Sequence, residues 1–300
     1  MEDNFITIVE VGPRDGFQSI KEWIPTKTKL MIIKALYEAG FTNMEVGAFV
    51  SPKAIAQMRD ASTIVQELKE YPTTVLVPNL YGAKAAFEAG AKAITYVVSV
   101  SKSHNMANVR RTPQESLEAL KEIKQAYPSL HVKLALATSF GCPFEGEIPI
   151  KAVANMVRFG QELNVDEICL ADTIGIANPI QVQKTLKALM PQIDRPLGLH
   201  LHDTRGMGLA NAFAAINEGV SMIESAVGGI GGCPFAPGAA GNIASEDLVN
   251  MLHSMGFKTS IDLDKLLKVS ELIKKHVSPT LFSRMANLPN STCKGVSCGK

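Results

Sequence analysis

The chain has 300 residues, 46% of them hydrophobic and 20% charged, with a formal net charge of +1. This balance describes a globular protein with a sizeable core and no basic face, and it argues against nucleic acid as a partner. No apolar run is long enough to span a bilayer, and strand-like sequence from Phe5 leaves no room for a signal segment, so a cytoplasmic protein is expected. Five cysteines at irregular spacing, with no CxxC pair, suggest neither a disulfide framework nor a zinc ribbon.

Short apolar runs of strand character follow one another as ITIVEV from Ile6, NMEVGA from Asn43, TTVLVP from Thr73, AITYVVSV from Ala93, HVKLALAT from His131, EICLADT from Glu167, PLGLHLHD from Pro196 and MIESAVGG from Met222. Between them lie stretches with helical spacing: KTKLMIIKALYEAG, AAFEAG, ESLEALKEIKQAY, AVANMVRFGQEL, IQVQKTLKALM and LANAFAAINEG. Three of these stop at a glycine just before the next strand, at Gly40, Gly90 and Gly219, where a left-handed residue can turn the chain back. Repeated strand–helix units without a Pro-, Gly- or Ser-rich linker predict an α/β fold, a (β/α)8 TIM barrel. A doubly wound open sheet ranks lower, because no GxGxxG follows the first strand and no composition break divides the chain. After the eighth strand, SEDLVNMLHSMG should close the barrel with Ser245 near its N-cap, and DLDKLLKVSELIKKHV should add a further amphipathic helix. The expectation is therefore a single catalytic barrel domain over 1–300, with a C-terminal helix and loose tail at about 261–300.

The chemistry of a parallel barrel lies at the C-terminal ends of its strands, and those ends are unusually polar here. Strand one runs into Arg14, Asp15 and Gln18, strand two carries Glu45, strand six ends at Asp172, and strand seven carries His200 and His202. In GLHLHD the two histidines sit two apart and share a face, with Leu199 and Leu201 on the other. An HxH pair presents two nitrogens to one metal, and it equally fits two hydrogen-bonded histidines at a solvated strand end. Adding the oxygens of Asp15 and Asn242 gives a set that suits a divalent cation such as Mg²⁺ or Mn²⁺ better than structural zinc.

Taken together, VEVGPRDGFQ, FVSPK, GCPFEG, ADTIG, HLHDT and GGIGGCPFAPGAAGN resemble the 3-hydroxy-3-methylglutaryl-CoA lyases, in order from about Val9 to Met251. RDG and HLHD alone would indicate only the wider metal-dependent barrel superfamily, with its isopropylmalate and homocitrate synthases and aldolases. Those relatives usually lack a cysteine in the glycine-rich loop, so GGCPF is the discriminating feature. The resemblance implies metal-dependent cleavage of 3-hydroxy-3-methylglutaryl-CoA to acetoacetate and acetyl-CoA, with Asp15, His200, His202 and Asn242 as metal ligands. It also implies a homodimer.

That reaction is a retro-Claisen cleavage, and its tertiary hydroxyl is a very weak acid that a chelating metal makes more acidic. Asp15 is the candidate base, and Arg14 is placed to stabilise charge on the thioester oxygen. Glu45 would hold Arg14 by a charge-assisted pair, although Arg14 and Glu45 would also make an ordinary ion pair at a barrel mouth. Gln18, Asp172 and Asn108 are the remaining candidate substrate contacts, while Asp172 equally suits capping of the turn at Thr173 and Gly175. Lys102, Arg110 and Arg111 after strand four read as a solvated charged loop that could meet coenzyme A phosphates.

A thiol suits protonation of the acetyl-CoA enolate, since at an ordinary pKa of about 8.5 it is mostly protonated at neutral pH. Cys233, on the glycine-rich loop before Asn242, is the candidate acid. Cys142, in the second GCPF, reads as a small packed residue in a turn, and Cys169 reads as core. Cys293 and Cys298 lie in the tail, where some members of the family carry a redox-sensitive cysteine; free thiols without a role fit equally. A condensing synthase or aldolase of the same superfamily is the competing enzyme, and a non-catalytic barrel scaffold the competing class; the scaffold predicts loss of a metal-site residue, and all four are present.

Overall fold

The computed structural model describes residues 4–232 and 241–288. The predicted strands form as β1 (Thr7–Glu10), β2 (Met44–Ala48), β3 (Thr73–Val77), β4 (Ala93–Ser99), β5 (His131–Ala137), β6 (Glu167–Asp172), β7 (Leu197–Leu201) and β8 (Met222–Ser225). Each pairs in parallel with the next, and β8 returns to β1 through Thr7↔Met222 to Glu10↔Ser225, closing the barrel. The molecule is a (β/α)8 barrel, as the alternation of short apolar runs with helical stretches predicts.

Outside the barrel run α1 (Thr26–Glu38), α2 (Ala61–Glu67), α3 (Leu80–Glu88), α4 (Lys102–Val109), α5 (Pro113–Ala126), α6 (Ile150–Glu162), α7 (Pro179–Leu189), α8 (Gly208–Asn217), α9 (Ser245–Ser254) and α10 (Leu263–His276). The additional C-terminal helix is α10, which buries Leu266, Val269 and Ile273 and packs on α1 and α9. Local chemistry starts several of these helices: Thr112 and Glu115 make a reciprocal capping box at α5, and Pro113 supplies a pre-set φ in its first turn.

One expectation changes. The segment containing Lys102 is the helix α4 rather than a solvated loop, and it ends at Arg110 in a left-handed conformation with φ 56°. Its buried face is polar: Asn105 Oδ1 accepts from Ser99 N at 2.9 Å and its Nδ2 donates to Ser116 Oγ at 2.8 Å. A helix fixed by hydrogen bonds has no apolar stripe for periodicity to detect. Ser245 opens α9 directly after its N-cap residue Ala244, near the cap as expected, and its hydroxyl bonds Glu10 Oε2 at 2.6 Å and Ser225 Oγ at 2.8 Å across the barrel mouth.

Two irregularities in the sheet set up the site. β1 meets β2 only at Glu10↔Met44, because the chain leaves the sheet at Val11 and enters a wide helical turn, Gly12–Gly16. β2 shifts register between Glu45 and Gly47, a bulge of the kind that redirects a side chain next to a site.

The helix-ending glycines differ in what surrounds them. Gly40 has φ +107° and a Cβ there would lie 2.0 Å from Ser260 O, whereas Gly90, at φ +96°, faces open space. Gly90→Ala should therefore cost only the left-handed backbone penalty of about 1 kcal/mol. Gly40→Ala carries that penalty and displaces the Ser260–Ile261 backbone ahead of α10, so its loss should be at least about twice as large. Urea unfolding of the two variants checks the order; equal losses would mean that the Ser260 backbone gives way freely.

Candidate metal centre and active site

The wide turn after β1 carries Arg14 and Asp15, both buried. Phe17 N–H reaches back to Gly12 O, the five-residue spacing of a π-type turn that recurs at functional sites. Arg14 Nε donates to Glu45 Oε1 and its Nη1 donates to Asp15 Oδ1. Gln18 Nε2 donates to Asp15 Oδ1 at 2.8 Å and Asn242 Nδ2 to Asp15 Oδ2 at 2.7 Å. Burial would raise the Asp15 carboxyl, but the guanidinium of Arg14, then His200 and His202, outweigh it and hold the value at about 2.

On β7 the leucines and histidines part as the two-residue period requires: Leu199 and Leu201 are in the core, while the rings of His200 and His202 lie 5.0 Å apart. His200 Nδ1 bonds Glu224 Oε2 at 2.9 Å. Burial pulls the His200 value down, but the bond to Glu224 reverses this and raises it. His202 goes the other way, to about 4, through burial and its neighbour His200, so it stays neutral, the form that ligates metal. His202 pairs with Asn242 in an isolated antiparallel bridge, which brings the far end of the glycine-rich stretch to the strand end.

Donor atoms of Asp15, His200 and His202 lie within 4.8 Å of one another, and all three residues are buried. Asn242 Oδ1 and His202 Nδ1 are buried without a hydrogen-bond partner among the described residues. Orphaned buried polar atoms are rare in folded proteins and point to a missing partner. Two imidazoles, a carboxylate and an amide oxygen fit a divalent cation, so the residues present suit the metal that the sequence implies.

The glycines around Asn242 are there for close approach. A Cβ on Gly231 would lie 2.6 Å from Asn242 Nδ2, and one on Gly241 would lie 2.7 Å from both Gly231 C and Gly232 N. The backbone on either side of segment 233–240 therefore meets beside Asn242 and Asp15. Cys233 itself lies outside the described residues, as do Cys293 and Cys298.

The other predicted residues take varied places. Glu45 is buried; its Oε1 is held by Arg14, and its Oε2 has no hydrogen bond among the described residues. Asp172 accepts from Ile176 N at 3.1 Å and Ala177 N at 3.0 Å, so both its oxygens shape the turn after β6. Asn108 is exposed on α4. Cys142 accepts from Phe144 N and Glu145 N and lies 2.9 Å from Ser101 Oγ, organising the first GCPF turn. Cys169 is buried in β6, and burial, then the nearby Glu224, pushes its thiol well up.

The family model described as HMGL-like matches residues 5–273. The chain belongs to the HMGL-like family. It is 39% identical to the hydroxymethylglutaryl-CoA lyase of Bacillus subtilis (strain 168), over 93% of this chain and 95% of that protein. It is 38% identical to the mitochondrial hydroxymethylglutaryl-CoA lyase of Mus musculus, over 96% of this chain and 90% of the relative. Among solved structures, an HMG-CoA lyase from Acinetobacter baumannii in complex with coenzyme A and 3-methylmalate superposes with a TM-score of 0.92 at 40% identity, covering 97% of each chain. A carboxyl transferase domain of Rhizobium etli pyruvate carboxylase, at 16% identity and a TM-score of 0.69, shares the fold.

Four charged residues of this HMGL-like barrel escape the sequence reading. Lys133 on β5 and Glu224 on β8 face each other inside the barrel as an ion pair. Glu10 Oε1 accepts from Gly12 N at 2.8 Å and Val227 N at 2.9 Å, and Glu246 accepts from Gly228 N at 2.9 Å and from Ser270 Oγ. The available signal was a charge within an otherwise apolar strand or at a helix start, since such residues are seldom fully buried without partners.

Burial raises the Glu10 carboxyl from 4.5 to about 8 and the Glu246 carboxyl to about 7, each against its hydrogen bonds. A carboxyl raised in the folded state binds its proton more tightly there. Its stabilising effect is full below the ordinary value and is lost as pH rises through the folded value. Stability should thus fall from about pH 5 to about pH 8, and Glu10→Gln, which keeps the acceptor and removes the ionisation, should make that fall shallower. Urea unfolding across this range tests it; an unchanged slope would show that Glu10 does not titrate there.

Proposed function

We propose that the chain is a hydroxymethylglutaryl-CoA lyase, cleaving 3-hydroxy-3-methylglutaryl-CoA to acetoacetate and acetyl-CoA. The observation that carries this reading is the buried Asp15, His200 and His202 cluster with Asn242 beside it, in a chain that matches lyases along nearly all its length. Mg²⁺ or Mn²⁺ is the proposed metal, held by Asp15, His200, His202 and Asn242. The bound cation supplies Lewis-acid chemistry that makes the substrate's tertiary hydroxyl more acidic.

The chain's own residues do the rest. Asp15 accepts the hydroxyl proton, being ionised far below neutral pH and therefore available as an acceptor. A carboxylate of that kind is a weak base in isolation, so it works on a hydroxyl already made acidic. Arg14, clamped between Glu45 and Asp15, is fixed beside the reacting carbon and stabilises negative charge on the thioester oxygen as the enolate forms. Glu45 keeps the guanidinium in place. Cys233 donates the proton that converts the enolate to acetyl-CoA; the meeting of Gly231 with Asn242 supports its delivery to this spot. Gln18, Asp172 and Asn108 are the proposed substrate contacts, Gln18 through its hold on Asp15. A homodimer, with the whole chain as one catalytic unit, in the cytoplasm and serving leucine breakdown or ketone-body formation, completes the proposal. No helix among the described residues is long and apolar enough to cross a membrane.

Purified protein given 3-hydroxy-3-methylglutaryl-CoA and Mg²⁺ should release acetoacetate, and EDTA should stop it. Absence of release from folded, metal-loaded protein would sink the lyase reading. Cys233→Ala should lower turnover by roughly 10²- to 10⁴-fold with little loss of stability, the range expected for a positioned proton donor. Unchanged turnover would remove Cys233 as the acid. His202→Ala should abolish activity through loss of metal, checked by metal content after gel filtration.

A further inference from the structure

A buried lysine inside a barrel calls for a reason. Lys133 lies on β5, with its side chain 5% exposed, among positions that barrels ordinarily fill with branched apolar residues. Its ammonium donates to Glu224 Oε1, and Glu45 Oε2 lies 3.9 Å away. Buried ion pairs are at best weak contributors to stability, since desolvation offsets their attraction. An apolar residue would fill the space at no such cost.

The geometry of Glu224 supplies the reason. One oxygen takes the lysine and the other takes His200 Nδ1 at 2.9 Å, so among the described residues the opposite ring nitrogen of His200 is the one left for a ligand. A carboxylate bonded to the non-ligating nitrogen of a metal histidine fixes both tautomer and ring orientation, and such partners matter about 10- to 100-fold in metal affinity. Glu224 holds that orientation only while its carboxyl group is locked in place, and the lysine locks it from the far side.

We propose that Lys133 is a positioning residue for the metal centre, acting through Glu224 to hold His200 in its ligating tautomer and orientation. This rests on the metal reading given above. Lys133 touches no reacting atom; it completes the relay Lys133, Glu224, His200 that supports the centre from inside the barrel.

The test is Mn²⁺ titration of the full chain after EDTA treatment, with the free ion followed by electron paramagnetic resonance, in a double-mutant cycle. Wild type should bind; failure to bind would overturn the metal reading and this proposal with it. Lys133→Met and Glu224→Gln should each raise the Mn²⁺ dissociation constant about 10- to 100-fold. Lys133→Arg, which keeps the cation, should stay within about twofold of wild type. Because the lysine acts through the carboxylate, Lys133→Met should add less than about twofold in a Glu224→Gln background. Additive losses, or wild-type affinity in Lys133→Met, would overturn the proposal. Should Lys133→Met fail to fold, Lys133→Gln, which removes the charge but keeps a polar group beside Glu224, takes its place in the same cycle with the same expected and overturning results.

Discussion

Charge buried in the barrel mouth is the constraint from which the local architecture follows. Asp15, Glu45 and Glu224 lie within a few residues' reach of Arg14 and Lys133, all of them buried. Stripping the partner from one such group costs about 3–5 kcal/mol, so the fold must keep them paired. It does so in an unbroken sequence of neighbours: Asp15 with Arg14, Arg14 with Glu45, Glu45 near Lys133, Lys133 with Glu224, and Glu224 with His200. The wide turn after β1 and the bulge in β2 are the backbone adjustments that let Arg14 and Glu45 meet. A regular β1 running straight on would pair with β2 and send its side chains alternately to the two faces.

A second pair of acids, Glu10 and Glu246, holds the backbone around this centre. Glu10 joins the first residue of the wide turn to the exit of β8, binding Gly12 N and Val227 N with one oxygen and Ser245 with the other. Glu246 takes the next amide, Gly228 N, from the α9 side and is itself anchored by Ser270 on α10. The additional C-terminal helix thus has work at the mouth as well as on the surface. Through these bonds Asp15 and Asn242, 227 residues apart in sequence, are kept within hydrogen-bond distance.

The barrel was legible because its signals are repetitive: short apolar runs, helical spacing between them, and glycines such as Gly40, Gly90 and Gly219 at the turns, all three with positive φ. The His200 and His202 pair was legible because a strand's two-residue period is strict. Lys133, Glu224 and Glu10 were not, because a single charge in an apolar strand says nothing about which distant strand will answer it. β5 and β8 are not neighbours in the sheet, and only barrel closure brings their side chains together across the interior. α4 was missed for a related reason, since its buried face is read by hydrogen bonds from Asn105 and not by hydrophobicity.

These arrangements divide the proposed chemistry between two kinds of support. Asp15, His200 and Arg14 stand on strands or on a turn locked to them, each with its side chain fixed by a second buried group. Metal chelation and charge stabilisation demand that fixity, because a displaced donor loses most of its effect on a transition state. Proton donation to the departing enolate has a different requirement: the donor must be near only after the carbon–carbon bond has broken. Gly231 and Gly232 ahead of segment 233–240 and Gly241 after it meet in a contact beside Asn242. Side chains larger than hydrogen at Gly231 or Gly241 would push that contact apart and carry the base of the segment away from Asn242. The glycines flanking Cys233 are therefore best understood as spacers that bring backbone against Asn242, a proposed metal ligand, and the proposed acid follows them by position in the chain.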